Sequence, residues 1–127
     1  MHAIELSHVT KRFGESTALR ALSLEVRAGE VLVLLGHNGA GKTVTVRLLS
    51  TMSWPTSGTV TIQGIDTRTD PAAIRRQIGV CLDTPLIWPR LTGREHVQLM
   101  ADAHDVPIQE ADRRVGEVLE RLNRADC

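Results

Sequence analysis

The sequence predicts an α/β fold built on a mixed sheet, and three observations carry that reading. Residues 31–35, VLVLL, are continuously apolar, as in a strand covered on both faces. Three glycines follow within six residues, at Gly36, Gly39 and Gly41. From Gly41 to Met52 the apolar residues Val44, Val46, Leu48, Leu49 and Met52 mark one face of a helix that WPTSG then stops. A buried strand, a glycine loop and a helix are thus expected in succession.

The flanking segments extend the pattern. Residues 3–10, AIELSHVT, alternate at period two, and residues 17–26, TALRALSLEV, read as a second strand closed by AGE. GTVTIQG is a β-branched strand between glycines, PAAIRRQ opens with a proline suited to a first helical turn, and IGVCL reads as another buried strand. Beyond DTPLIWPR the pattern becomes helical. Thr92 and Glu95 have capping-box spacing ahead of a stripe at Val97, Met100 and Ala101. Pro107 interrupts, and a second helix is expected from about Ile108 with Val115, Val118, Leu119 and Leu122 as its core face.

Composition bounds the function. The 127 residues are 42% hydrophobic and 24% charged, a globular balance, and no apolar run approaches a membrane span. Fifteen basic and fifteen acidic residues are interspersed, so no basic field points to nucleic acid. The N-terminus lacks the pattern of a signal peptide, and a cytoplasmic location is expected. Cys81 and Cys127 lack the spacing for a zinc site or a disulfide, and Cys81 is expected as a small core residue.

The loop has a chemistry of its own. Gly36, Gly41, Lys42 and Thr43 satisfy G-x-x-x-x-G-K-[ST] between a predicted strand and a predicted helix. Backbone without side chains lets successive N–H groups converge on phosphate oxygens, and the positive end of the helix points at the same charge. In that arrangement Lys42 neutralises the β and γ phosphates, and the Thr43 hydroxyl meets the Mg²⁺ that bridges them. The expected ligand is MgATP or a related nucleotide.

GHNGAGKT, with VTKRFG upstream, LSLEVRAGEVLVLLGHNGAGKT across the loop, SGTVTIQG after it and IRRQIGV beyond, resembles the ATP-binding subunits of ABC transporters from about residue 3 onward. Within that family the chain is most similar to exporter-type ATPases of drug, antibiotic or lipid efflux systems, a subdivision carried by features such as REH at 94–96. The resemblance implies a P-loop NTPase fold with a small antiparallel N-terminal β subdomain and the start of a helical subdomain, an incomplete ABC ATPase fold. It divides the chain into residues 1–91, the nucleotide-binding part, and 92–127, the beginning of the helical part. It makes Phe13 the aromatic that stacks on adenine. Gly36, His37, Asn38, Gly39, Ala40, Gly41, Lys42, Thr43 and Val44 become the nucleotide-binding segment, with His37 facing solvent. It further implies a homo- or heterodimer of ATPase subunits and a transmembrane permease that meets the segment around Trp88, so that the chain is peripheral to the cytoplasmic face of the membrane.

Two positions depart from the family pattern. Val44 stands where a second hydroxyl residue is usual. Asp83 stands at the Q-loop glutamine, where it retains the ability to ligate Mg²⁺ but is one methylene shorter and anionic. Read alone, VCLD at 80–83 also matches a Walker B strand, which would make the chain a small P-loop phosphotransferase with Asp83 as the metal carboxylate. An inactive or regulatory fragment that docks through Leu86, Ile87 and Trp88 is a further alternative. The 127 residues contain no LSGGQ-like signature, no later apolar run ending in Asp-Glu and no switch histidine. Nucleotide binding with negligible turnover is therefore expected of them alone. If strands that the family draws from further along are absent, the apolar face of VLVLL is left exposed.

His96, Met100 and His104, with Asp102 and Asp105 nearby, imitate a metal face, but two helical turns separate the histidines. Arg113, Arg114, Arg121 and Arg124 read as a solvated helix face.

Overall fold

The computed structural model describes residues 2–81 and 87–122, and its first unit, Met1–Val80, is organised by the alternation at the N-terminus. β1 (His2–Phe13) and β2 (Ser16–Arg27) pair antiparallel across the two-residue turn Gly14–Glu15, with Phe13 opposite Ser16. β3 (Ser57–Ile62) pairs with the other side of β1, and the short β4 (Ile65–Asp66) with β3, giving the order β2-β1-β3-β4. This is the expected N-terminal antiparallel sheet.

Strict alternation does not run the length of β1. Leu6 and Val9 are both buried although they are three residues apart. The register shifts between them, and His8 takes a φ of 48°, so a bulge absorbs the odd residue and returns Val9 to the core face. Ala21, at φ 47°, does the same on β2. Hydroxyls satisfy the displaced amides: His8 N donates to Ser23 Oγ at 3.0 Å and Ala21 N to Thr10 Oγ1 at 3.0 Å. β3 approaches this distorted stretch through Gly58, at φ 83°, where a Cβ would lie 2.5 Å from the His8 carbonyl oxygen and 2.6 Å from that of Ser7.

α1 (Lys42–Leu49) covers the sheet. Its Leu48 joins Leu6, Val9, Leu19 and Val60 in the core, and Val44 and Leu49 pack against that cluster. Val46 and Met52 are exposed, which corrects two members of the predicted stripe. Val46 lies about 200° around the helix from Val44 and Leu48. Met52 falls beyond the helix end, after Thr51 has turned the chain at φ 58°. α2 (Pro71–Gln77) begins as its proline predicts, capped by Asp70, whose side chain accepts from Ala73 N, and it buries Ile74.

The expected strand at 31–35 joins no sheet, and Val31 and Leu35 are each 88% exposed. The composition of the run suits burial on both faces, but β1 to β4 pair only among themselves and leave it without a neighbour. The exposure foreseen for this segment is thus observed. Residues 78–81 likewise form no strand, and Cys81 is exposed rather than buried. Leu82, Asp83, Leu86, Arg124 and Cys127, each given a role above, lie outside the described residues.

The second unit, Cys81–Cys127, pairs α3 (Gly93–Ala103) with α4 (Ile108–Arg121). The predicted capping box forms: Thr92 Oγ1 accepts from Glu95 N at 3.2 Å, and the Glu95 carboxylate accepts from Thr92 N at 2.7 Å. The Thr92 amide holds the Glu95 carboxyl below the usual carboxylate range. On α4 the buried stripe is Ala111, Val115 and Leu119. Val118 and Leu122 are exposed, so the face is an i, i+4, i+8 row that keeps two of the four predicted residues and adds Ala111. His96, read above as part of a false metal face, lies beside the Trp88 ring, centroids 5.6 Å apart.

The exposed face of α4 is an ion-pair ladder. Glu110 accepts from Arg113 Nη2 at 2.6 Å and from Arg114 Nε at 2.6 Å, while Arg113 Nη1 donates to Glu117 at 2.5 Å. These hydrogen bonds, Arg113 first, lower the Glu110 pKa from 4.5 to about 2.

Two outcomes are expected. Gly58→Ala will destabilise the first unit by about 1–3 kcal/mol in chemical denaturation, because both the positive φ and the two carbonyls oppose a methyl group. The folded-state pKa of Glu110 is depressed, so its support of α4 is complete above the ordinary value of 4.5 and is lost as pH falls through about 2. An NMR titration of the Glu110 carboxyl should show that low midpoint, moving up in high salt.

Candidate functional site: a glycine loop at a helix N-terminus

The loop is anchored at its base by Gly41. This residue, the N-cap of α1, takes φ 90° and ψ 4° and is buried. A Cβ there would lie 2.5 Å from Leu19 Cδ2 and 2.9 Å from the Ala18 carbonyl oxygen, so only glycine lets the loop press this closely on β2. A glycine cap offers no side-chain acceptor, and none is supplied. The first helical bond runs from Thr45 N to Gly41 O at 2.8 Å, which leaves the amides of Lys42, Thr43 and Val44 without an intrahelical partner. The first turn of α1 carries no acidic side chain to occupy them. Such a terminus suits an external anion.

Lys42 closes the loop over this terminus. Its Nζ donates to Gly36 O at 2.5 Å and to His37 O at 2.8 Å, joining the two ends of the glycine segment, and Ala40 N donates to His37 O at 3.1 Å within it. Gly36, His37, Asn38, Gly39, Ala40 and Thr43 are all exposed. His37 faces solvent as expected, its Nδ1 2.8 Å from the Asn38 carbonyl oxygen. The hydroxyl of Thr43, an exposed residue in the first turn of α1, is a hard oxygen donor of the kind Mg²⁺ selects, so this residue fits the ion. The departure at Val44 also has a physical account, because its side chain packs against the core and does not line the loop.

Phe13 ends β1 and is 51% exposed, which leaves ring surface available to a ligand. Sequence reasoning missed its neighbour Lys11, whose Nζ lies over the ring 4.9 Å from the centroid. The signal was present, since residues two apart on a strand share a face. In the second unit, Trp88 is 52% exposed and lines an open groove of about 700 Å³ with Leu91, Glu95, Gln98, Leu99 and Asp102. Asp83 lies outside the described residues.

With this geometry in hand, comparison with known proteins is direct. The family model described as ABC transporter matches residues 19–127. The chain is 37% identical over 124 residues to the daunorubicin resistance ATP-binding protein DrrA3 of Streptomyces coeruleorubidus, covering 98% of this chain and 39% of that protein. It is 39% identical over 115 residues to the spermidine/putrescine import ATP-binding protein PotA of Rubrobacter xylanophilus, covering 91% of this chain and 30% of that one. Among solved structures it superposes with a TM-score of 0.80, at 29% identity, on the ATP-binding cassette MJ0796 in a dimeric post-hydrolysis state bound to ADP and Pi. That match covers 92% of this chain and 56% of the other. The chain thus spans about two fifths of the length of the first of these relatives. By the family match over residues 19–127 and these similarities, the chain belongs to the ABC transporter family, of whose ATP-binding cassette it carries a part.

Proposed function

We propose that the chain binds MgATP through residues 36–44 as part of an ABC transporter ATPase that couples ATP binding and hydrolysis to movement of a solute across a membrane. The observation that carries this reading is the Lys42 ammonium on the Gly36 and His37 carbonyls, above three helix amides that lack acceptors. In the nucleotide complex the amides of the loop and of Lys42, Thr43 and Val44 hold the phosphate oxygens. Lys42 then exchanges part of its carbonyl contacts for the β and γ phosphates. The Thr43 hydroxyl would supply one ligand to Mg²⁺, with Asp83 as a second candidate, and the bound ion would supply positive charge at the phosphates. Phe13 offers a ring face to the adenine.

Residues 1–91 form the nucleotide-binding part in this reading and 92–127 the start of the helical part. Two ATPase subunits assemble, consistent with the dimeric MJ0796 cassette, and a transmembrane permease meets the exposed Trp88 segment at the cytoplasmic face of the membrane. Export is favoured by the similarity to a daunorubicin resistance protein, and import by the similarity to a polyamine importer. Transport of a labelled drug or polyamine in inverted and right-side-out vesicles separates the two.

Lys42→Ala should weaken MgATP binding by about 1.5–3 kcal/mol, the range of a charge-assisted hydrogen bond, as measured by calorimetric titration. An unchanged affinity would remove the basis for the phosphate-loop assignment. Trp88→Ala should leave that affinity intact and reduce recovery of the permease in a co-purification from membranes. A phosphotransferase acting through Asp83 alone would instead show steady-state turnover without any partner.

A further inference from the structure

The end of β1 carries an ammonium that neither the phosphate loop nor the packing of the core uses. Lys11 Nζ donates to the Trp54 carbonyl oxygen at 2.8 Å and at the same time lies over the Phe13 ring, 4.9 Å from its centroid. Two further bonds tie the same stretch of β1 to the segment that follows α1. Thr56 N donates to Thr10 O at 2.8 Å, and Arg12 N donates to Thr56 Oγ1 at 3.0 Å. Lys11 is therefore held at a backbone that is itself fixed, and the ring is held at Lys11. A phenyl ring at the end of a strand and half exposed would, without a partner to hold it, sample several rotamers and present either face to a ligand. With a cation on one face, it presents only the other.

We propose that Lys11 is a positioning residue for the nucleobase: it occupies one face of Phe13, fixes the ring, and leaves the opposite face as a preorganised platform for a planar base. The inference rests on the reading of Phe13 as a base-stacking residue. Its contribution comes from ordering before binding, because a ring already held in place loses less freedom when the base arrives. The expected ligand effect is accordingly confined to the base and spares the phosphates.

The test compares MgATP with magnesium tripolyphosphate, which has the phosphate tail and no base, by calorimetric titration of the purified protein and of Lys11→Met, Lys11→Arg and Phe13→Ala. Lys11→Met keeps the aliphatic stem and removes the charge. It should weaken MgATP about two- to fivefold and leave tripolyphosphate unchanged, and Lys11→Arg should restore most of the loss. An unaltered MgATP affinity in Lys11→Met overturns the proposal. So does an equal weakening of both ligands, which would mark Lys11 as a diffuse charge or a purely structural tie. Phe13→Ala distinguishes the two levels of the argument. If it lowers the preference for ATP over tripolyphosphate while Lys11→Met does not, only the role of Lys11 fails. If it leaves that preference untouched, base stacking on Phe13 fails and the role of Lys11 goes with it.

Discussion

Three backbone amides at the start of α1 have no acceptor in the helix, and the first unit is arranged around that deficit. Most proteins meet it with a serine, threonine or aspartate cap. Here the cap is Gly41, which has no side chain to offer, and the first turn has no carboxylate. The choice of glycine is forced from the other side by Leu19 and the Ala18 carbonyl of β2, against which any Cβ would collide. The sheet therefore determines where the helix begins, and the helix in turn determines where an anion can be held. Lys42 supplies the matching positive charge, and its contacts with Gly36 and His37 keep the loop folded around the position.

The same sheet shows how a polar side chain can support a distortion needed for packing. The bulges at His8 and Ala21 restore Val9 and its neighbours to the core, at the expense of amides that leave the ladder. Ser23 and Thr10 accept from those amides. Neither hydroxyl is near the glycine loop in sequence, yet both hold the strands on which α1 packs. β1 in this way links the core beneath the loop to the aromatic at its own end.

Much of this was legible from residue order. The glycine motif, the proline at the start of α2, the Thr92–Glu95 box and the hairpin strands depend on local chemistry, and local chemistry is what a short stretch of sequence encodes. What escaped depended on partners distant in the chain. The phase change between Leu6 and Val9 requires a bulge supported from β2. The exposure of Val46 and Val118 depends on how much of each helix a neighbour covers. Cys81 looked like a core residue because its run is apolar, but an apolar run does not by itself supply the second surface that burial needs, and the thiol is exposed. In the site, Val44 stood out only as a departure from the usual hydroxyl residue, and its packing against the core cluster appears only in the fold. The Lys11–Phe13 contact lies within β1 and was legible, but the Trp54 carbonyl that fixes the Lys11 ammonium reaches it only through the tertiary fold.

The segment 31–35 has a consequence for how this polypeptide behaves in company. Five β-branched or leucine side chains in succession, free of charge and of proline, form a strip in which Val31, Leu32, Val33 and Leu35 are exposed. Glu30 flanks the strip as a gatekeeper, but its carboxylate already accepts from Arg27 N and is committed to closing the turn. Pairing of one such strip with another is the hazard that an uncharged, proline-free aliphatic run carries.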